Sequence, residues 1–213
     1  MLRVNEIFHS IQGESSHAGW PCVFVRLTGC NLRCTYCDTF YAHDEGQEMT
    51  LEEILSRVRQ YPCSLVEVTG GEPLIQQDTP LLIERLLKSG YKVLLETNGS
   101  QDISRVPSSC ISIVDFKCPS SGQCEANDLE NIRRLQAHDE VKFVIGDRGD
   151  YEYARQLSAR IEEMGKQVTI LFSVVFDQLN WNQLAQWVLE DGLRVRLNVQ
   201  LHKVIWDPHL RGV

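Results

Sequence analysis

The chain has 213 residues, a formal net charge of −8 and 43% hydrophobic residues. This length suffices for one well-filled core and predicts a single α/β domain over residues 1–213. The acidic balance argues against a general nucleic-acid-binding surface and against binding to an anionic membrane. The amino terminus has no secretory signal pattern and no apolar run could span a bilayer, so we expect a cytoplasmic protein.

Apolar runs of strand length alternate with amphipathic stretches along the chain. The pattern predicts strands in the segment VNEIFHSIQGE, which turns at Gly13, and at 23–27, 64–69, 91–97, 111–117, 140–145, 168–175 and 194–201. It predicts helices that begin at Thr50, where Thr50 and Glu53 form a capping box, and that cover 81–87, 129–136, 151–164 and 181–189. Such alternation predicts parallel β/α units with right-handed crossovers. Because the strands are too few for an eightfold barrel, we expect a partial (β/α)6-like barrel, with an open doubly wound sheet as the alternative.

The residues that could carry chemistry follow the predicted strands. In chain order they are the cysteines after the strand 23–27, Gly70-Gly71-Glu72, Thr97-Asn98-Gly99, Asp115 with Lys117, and His202-Lys203. Binding sites in parallel sheets and barrels form at the carboxyl ends of the strands. We therefore expect these groups to converge on one rim.

The segment TGCNLRCTYCDT places Cys30, Cys34 and Cys37 at the spacing C-x3-C-x2-C. Three thiolates on one short loop can hold three irons of a cubane cluster and leave the fourth iron open to a small molecule. A zinc ion is one alternative, although a structural zinc needs four donors. Three buried, inert cysteines are another alternative. Of the five remaining cysteines, Cys118 and Cys124 are the pair that a second cluster would use, and we expect no second cluster.

Two oxygen donors follow the cysteines directly. The carboxylate of Asp38 and the hydroxyl of Thr39 are ligands that suit Mg²⁺, which takes few protein donors and keeps water or substrate oxygens. Alone, this dipeptide would indicate a turn. Beside the cysteine loop it predicts a magnesium site.

A second polar set lies near the amino terminus and the last strand. Arg26 interrupts an apolar strand, so it must pair with a carboxylate, because an unpaired buried charge is costly. A substrate carboxylate and a structural salt bridge with Glu6 or Glu14 suit its residue type equally well. Gln12 accompanies it, and His202 offers a proton carrier, although a histidine at a strand end is more often structural.

Two levels of resemblance emerge from these segments. With Tyr36 before the third cysteine, the motif becomes CxxxCxΦC, which resembles the radical S-adenosylmethionine (SAM) superfamily, and TGGEP resembles its GGE motif. The segments IQGE, VRLTGCNLRCTYCDT, TGGEP, ETNG, KCPSSG and QLHK, taken in order, resemble the 7-carboxy-7-deazaguanine synthase family over nearly the whole chain. The resemblance implies a [4Fe–4S] cluster, SAM and Mg²⁺. It also implies conversion of 6-carboxytetrahydropterin to 7-carboxy-7-deazaguanine with loss of ammonia, in queuosine biosynthesis.

The resemblance implies a role for particular residues. The implied catalytic set is Cys30, Cys34 and Cys37 as cluster ligands, Thr39 as the Mg²⁺ ligand, and Arg26. The implied pterin contacts are Ile11, Gln12, Gly13, Arg26, Thr69 and His202. The implied SAM contacts are Gly71, Asp115, Phe116, Lys117, Ser173, Val174, Val175 and Phe176. Some members end near the position of Pro208 and bring a terminal carboxylate to the substrate, whereas this chain runs on to Val213, so we expect that contact to be absent or supplied differently.

The resemblance further implies a homodimer and a flavodoxin- or ferredoxin-type electron donor, with neither nucleic acid nor membrane as a partner. The motifs of the sequence are also compatible with three other classes of protein. A glycyl-radical activase would act on a protein and would need no magnesium site. A non-catalytic iron–sulfur electron carrier would need neither the GGEP segment nor a polar rim and would not consume SAM. A zinc-binding interaction module would be distinguished by metal analysis of anaerobically purified protein.

Overall fold

The structure is a computed structural model that describes residues 1–208 and 210–213. Within these residues the strands are β1 Leu2–Ile11, β2 Pro21–Leu27, β3 Gln47–Met49, β4 Leu65–Gly70, β5 Lys92–Thr97, β6 Ile111–Asp115, β7 Glu140–Ile145, β8 Thr169–Val174 and β9 Arg196–Leu197. The helices are α1 Leu51–Val58, α2 Thr79–Lys88, α3 Asn131–Arg134, α4 Arg148–Glu163, α5 Trp181–Glu190 and α6 His202–Ile205.

One sheet contains all of these strands in the order β3-β1-β2-β4-β5-β6-β7-β8-β9. From β2 through β4 to β9 each strand is parallel to its neighbour, whereas β1 and β3 pair antiparallel at one edge. The parallel strands follow one another in chain order without the reversal that defines a doubly wound sheet. The predicted partial barrel is therefore confirmed, and the doubly wound alternative is wrong.

The two faces of the parallel strands differ in what covers them. One face carries Val66 and Val68 of β4, which belong to the main core together with apolar residues of the helices, such as Ile54 and Leu82. The opposite face carries a smaller apolar cluster near the amino ends of the strands, formed by Cys22, Phe24, Leu65, Leu94 and Ile113. Further along the same strands this face carries polar and charged side chains. The helix-covered face thus supplies most of the core, and the inner face is left for a site.

Local signals placed most elements correctly, and the predicted capping box of α1 is present. The Thr50 side chain accepts from the Glu53 backbone N–H at 3.2 Å, and the Glu53 carboxylate accepts from the Thr50 N–H at 2.7 Å. No helix among the described residues is long and apolar enough to cross a membrane.

The boundaries differ from expectation at four places. β1 is ten residues long because it pairs on one side with β2 and on the other with β3, a strand that the sequence did not indicate. The expected strand 111–117 ends at Asp115, and the expected helix 129–136 is only the single turn α3. The expected strand 194–201 is reduced to β9 because the chain then leaves the sheet, and the Leu201 N–H donates to the Gly13 carbonyl at 2.8 Å.

Candidate active site

The loop that carries the three cysteines is irregular and is held by neighbouring loops. Thr35 donates from its backbone N–H to Ser121 O at 3.1 Å and from its hydroxyl to Ser120 O at 2.8 Å. Ser120 is in turn bound by the Asp150 carboxylate at the start of α4, which accepts from its backbone N–H at 2.8 Å. The loops after β2 and β6 therefore form one connected unit. No pattern in the sequence indicates that Asp150 supports it.

Cys30, Cys34 and Cys37 are free, half-buried thiols. Burial raises the pKa of Cys34; Lys117 opposes the shift in part, and Asp115 and the other two thiols add to it. Burial likewise raises the pKa of Cys37. Binding of a metal centre would therefore release protons. Cys30 Sγ already accepts from the Leu32 N–H at 3.4 Å and from Asn98 Nδ2 at 3.8 Å.

These thiols fit a cluster better than a single ion. No group of three His, Cys, Asp or Glu side chains within the described part of the chain is placed to hold one metal ion. In a [4Fe–4S] cluster each cysteine binds a different iron, so the thiols need not converge on one point. N–H donors directed at a sulfur are also a feature by which proteins tune such clusters. The chemistry and surroundings of the three cysteines therefore fit a [4Fe–4S] cluster.

Gly71 and Glu72 join the ends of β4 and β5 to this loop. A Cβ at Gly71 would overlap the Gly29 carbonyl oxygen and lie 2.7 Å from Cys30 Cβ, so a side chain cannot be accommodated there. The fully buried Glu72 carboxylate accepts from the Asn98 N–H at 2.7 Å and from the Leu74 N–H at 2.9 Å. The glycine is thus required by the approach of the protein's own backbone, and its predicted contact with SAM remains a prediction.

The rim also contains a buried ion cluster centred on Lys142 of β7. Its ammonium group pairs with Glu14 at 2.8 Å, with Asp115 at 3.4 Å and with Glu96. Burial opposes the charge of Lys142, but these carboxylates outweigh it and raise its pKa well above the ordinary value. Burial likewise opposes the ionisation of Glu14, and Lys142 reverses the effect, so the pKa of Glu14 is lowered. Lys142 and Glu14 are therefore charged at neutral pH.

Lys142 and Glu96 were missed by the sequence reasoning. Both interrupt apolar strands, Lys142 within EVKFVI and Glu96 within KVLLET. This is the signal that singled out Arg26, and it would have found them. Glu67 in LVEVTG has the same pattern and was also missed.

The predicted residues at the end of β6 adjoin this cluster. Lys117 donates to Asp115 Oδ2 at 3.0 Å, and despite opposing burial the Asp115 charge raises the pKa of Lys117. Asp115 Oδ1 is buried and has no hydrogen-bond partner among the described residues. Phe116 is fully buried and stacks on Phe143 with 6.3 Å between ring centroids. Asp115 and Lys117 thus face the site, while the Phe116 ring belongs to the core.

Gly13, near the amino terminus, and His202, near the carboxyl terminus, are both predicted pterin contacts, and they lie against each other. A Cβ at Gly13 would overlap the ring of His202, so this ring packs directly on the Gly13 backbone. Burial lowers the pKa of His202, which leaves the imidazole neutral at physiological pH. Thr69 donates to Glu96 at 3.1 Å on the same inner face. Ile11 lies at the other end of the strands, paired with Pro21 at the start of β2.

Arg26 forms a structural salt bridge with Glu6, which is one of the two roles that suit its residue type. Its Nε donates to Glu6 Oε1 at 2.8 Å, and its guanidinium lies 6.0 Å from the Tyr41 ring centroid. The guanidinium of Arg211 lies over the Tyr41 ring, 3.7 Å from its centroid. Arg211 and Arg26 therefore both approach the ring of Tyr41. A substrate contact of Arg26 remains a prediction.

Asp38 and Thr39 are linked to α6. Thr39 donates to Asp38 Oδ1 at 3.0 Å, and Lys203 donates to Asp38 Oδ2 at 2.8 Å. Although burial acts in the opposite direction, the Lys203 charge lowers the pKa of Asp38 to about 2. The Lys203 ammonium also lies 5.1 Å from the Phe176 ring centroid. Helix α6 thus connects the cysteine loop with the end of β8.

The remaining residues that are predicted to contact SAM differ in their exposure to solvent. Ser173 is buried and donates to Asn198 O at 2.9 Å, and Val174 and Val175 are buried as well. Phe176 is 40% exposed and is the one ring of this segment that a ligand could reach.

Cys118 and Cys124, the pair considered for a second cluster, differ from the three half-buried cysteines of the loop after β2. Cys118 is fully buried, and burial raises its pKa well above the ordinary value. Cys124 lies 4.0 Å from Asn127 Nδ2. Cys118 is therefore an inert packing residue, and the absence of a second cluster stays a prediction.

Comparisons with known proteins agree with this arrangement. The model of the radical SAM superfamily matches residues 24–106. A 7-carboxy-7-deazaguanine synthase of Koribacter versatilis is 45% identical over 226 aligned positions that cover 100% of each chain. That of Chlorobaculum tepidum is 46% identical and covers 100% of this chain and 97% of its own. A crystal structure of QueE from Escherichia coli has a TM-score of 0.78 and 24% identity over 94% of each chain, which supports the fold.

Membership of the radical SAM superfamily implies a [4Fe–4S] cluster and SAM, and the free thiols of the loop after β2 fit that requirement. The relatives match the whole chain rather than the superfamily segment alone. The chain therefore belongs to the 7-carboxy-7-deazaguanine synthase family of radical SAM enzymes.

Proposed function

We propose that this chain converts 6-carboxy-5,6,7,8-tetrahydropterin to 7-carboxy-7-deazaguanine with loss of ammonia, as a step of queuosine and 7-deazapurine biosynthesis. The observation that carries the proposal is the contact between Gly13 and His202. It joins two segments, IQGE and QLHK, that are distant in sequence and that both belong to the family resemblance. His202 is also close enough to Glu96, on the inner face of the strands, for the charge of Glu96 to raise the pKa of His202 against the effect of burial.

The charges of this face suit a carboxylated pterin. The pterin ring presents N–H donors, and the carboxylates of Glu14 and Glu96 provide acceptors that Lys142 holds in place. Arg26 provides a guanidinium whose fork can also bind a substrate carboxylate. His202 is neutral and can donate or accept one hydrogen bond, according to its tautomer. These residues would bind and orient the substrate rather than perform the radical step.

Cys30, Cys34 and Cys37 would hold the cluster, and Gly71 would let SAM approach it. When bound, these groups supply hydrogen-atom abstraction by a carbon radical, while the protein positions the reactants and excludes water. The unpaired Asp115 Oδ1 supports a ligand donor at the end of β6. Phe116, Ser173, Val174 and Val175 are buried, so their contacts with SAM would come from the backbone at the strand ends, whereas Phe176 could offer its ring.

Thr39 would bind Mg²⁺ through its hydroxyl, with the substrate carboxylate and water as further ligands. The ionised Asp38 supports a cation at this position, and its pairing with Lys203 keeps the carboxylate oriented. In this arrangement Mg²⁺ would orient the substrate carboxylate during ring contraction. We extend the proposal to a cytoplasmic homodimer that receives electrons from a flavodoxin or ferredoxin.

One assay tests the proposed function directly. Anaerobically reconstituted protein is incubated with SAM, a reductant, Mg²⁺ and the tetrahydropterin, and the products are separated by chromatography. We expect 7-carboxy-7-deazaguanine and ammonia in equal amounts. Cleavage of SAM without any deazaguanine would contradict the substrate assignment and would favour an activase. An absence of SAM cleavage in protein with a full iron complement would contradict the whole proposal.

A further inference from the structure

Glu67 is a buried acid on β4 for which the proposed function has no use. Its side chain is 2% exposed and lies on the inner face, two residues before Thr69. Gln12 Nε2 donates to Glu67 Oε2, and Gln12 Oε1 accepts from the Glu14 backbone N–H. Gln12 is thus fixed at both ends of its amide group, and Glu67 is one of the two groups that fix it.

The other acids of this face have stronger partners than Glu67 has. Lys142 pairs with Glu14, Glu96 and Asp115. The Glu72 carboxylate accepts from backbone N–H groups and from the Thr97 hydroxyl, so it too is satisfied. The hydrogen bonds and ion pairs of the described residues give Glu67 one neutral amide and no cation. A buried carboxylate without a cation is strongly disfavoured, whereas the neutral acid is not.

The net effect of the surroundings of Glu67 also favours the neutral acid. Burial, followed by the charge of Glu96, raises the pKa of Glu67 to about 8, and the charge of Glu14 adds to this shift. The hydrogen bond from Gln12 and the charge of Lys142 oppose it only in part. On the remaining sides are the thiols of Cys22 and Cys110, whose own pKa values burial raises, so they stay protonated. The facing groups would therefore compensate a charge on Glu67 only in part.

We propose that Glu67 is a positioning residue that must remain uncharged: as a neutral carboxylic acid it holds Gln12 towards the substrate, and its ionisation weakens substrate binding. The inference rests on the proposed function, because it takes Gln12 and Thr69 as pterin contacts. Ionisation would place a third negative charge beside Glu14 and Glu96, beneath a substrate that itself carries a carboxylate. The expected effect is on KM rather than on kcat, because Glu67 does not touch the reacting atoms.

The first test compares KM for 6-carboxy-5,6,7,8-tetrahydropterin between the holoenzyme and its Glu67→Gln variant from pH 6.5 to 9.5. Glutamine keeps the acceptor for Gln12 and cannot ionise. Because both proteins use the same substrate, ionisation of the substrate cancels in the ratio of the two KM values. With a pKa of about 8, the ratio of wild-type to variant KM should rise about tenfold between pH 7 and pH 9.

The matched control is Glu140→Gln, the same change at another acid that is 2% exposed but binds Ser16 instead of Gln12. Its KM should follow the pH dependence of the wild type. If Glu67→Gln does not fold, Glu67→Leu replaces it. Leucine provides no acceptor for Gln12, so its KM should be raised by a similar factor at every pH.

A second measurement does not depend on the substrate. Infrared difference spectra between the wild-type holoenzyme and Glu67→Gln should contain a carboxylic-acid C=O band at pH 7 that falls to about half its intensity near pH 8 and is lost above it. No such band at pH 7 would overturn the inference, as would a KM ratio that is flat with pH while the band is present. If the band is present but the wild type does not turn over the pterin, the proposed function fails, and the claimed role in binding that substrate fails with it.

Discussion

The two ends of the inner face are built from the same strands and have opposite chemistry. Near the amino ends, which we call the base, β2, β4, β5 and β6 contribute the apolar cluster of Cys22, Phe24, Leu65, Leu94 and Ile113. Near the carboxyl ends, which we call the rim, the same strands contribute Arg26, Thr69, Glu96 and Asp115, together with Lys142 of β7. The apolar cluster of the base contains no charged side chain, whereas the rim concentrates charge within a buried environment. Stability and function are thus separated along each strand.

The largest expected difference between the two ends comes from replacing a cysteine by alanine, once at the rim and once at the base. Cys34→Ala at the rim should abolish SAM cleavage and lower the iron content, because one iron of the cluster loses its protein ligand. Cys22→Ala at the base should keep the full iron content and affect only stability. Iron analysis and 5′-deoxyadenosine formation measure both. Persistent SAM cleavage in Cys34→Ala would make the cluster assignment wrong.

Lys142→Met tests whether the stability of the rim, unlike that of the base, depends on charge. Removal of one partner from a buried ion cluster leaves uncompensated charge and should lower the free energy of unfolding by about 3–5 kcal/mol. Glu14, with its lowered pKa, contributes stability above its ordinary value of 4.5 and loses that contribution as the pH falls through the folded-state value. Wild type and variant should therefore converge in acid, as measured by urea unfolding at pH 7 and pH 4. A difference that stays constant with pH would contradict the ionised cluster.

Leu94→Ala is the corresponding change at the base. Leu94 is fully buried, and the cavity should lower the free energy of unfolding by about 2–5 kcal/mol. Since no charge is involved, the loss should be the same at pH 5 and pH 8, and KM for the pterin should not change. Urea unfolding and steady-state kinetics measure the two quantities. A clear rise in KM would indicate that base and rim are not separable.

The smallest expected effect concerns the outer part of the rim. Thr39→Ala removes the hydroxyl proposed for Mg²⁺ and should slow turnover by about tenfold, which corresponds to about 1.4 kcal/mol. The dependence of the rate on Mg²⁺ concentration should weaken, while the visible absorption of the cluster stays unchanged. Thr39→Ser serves as the control because it keeps the hydroxyl. An unchanged Mg²⁺ dependence in Thr39→Ala would remove Thr39 from the proposed site.

The sequence by itself determined the cysteine loop, the β/α alternation and the partial barrel, because these depend on spacing and local periodicity. It also placed the ends of β2, β4, β5 and β6 at one rim, since parallel strands in sequence order leave little choice. Cys30, Gly71 and Asn98 lie together as that reasoning requires. The capping box of α1 follows from side chains three residues apart and needs no tertiary information.

Only the tertiary structure decided which charged groups face one another. The partners of Lys142 lie on the segment after β1, on β5 and on β6, and the contact of His202 with Gly13 joins opposite ends of the chain. Residue type indicated that Arg26 needed a partner, yet Glu6 and Glu14 were equally suitable until β1 was seen to pair with β2. The physical reason is that burial and charge act over distances in space, so the neutral state expected for Glu67 and the ionised state of Glu14 depend on residues far away in sequence.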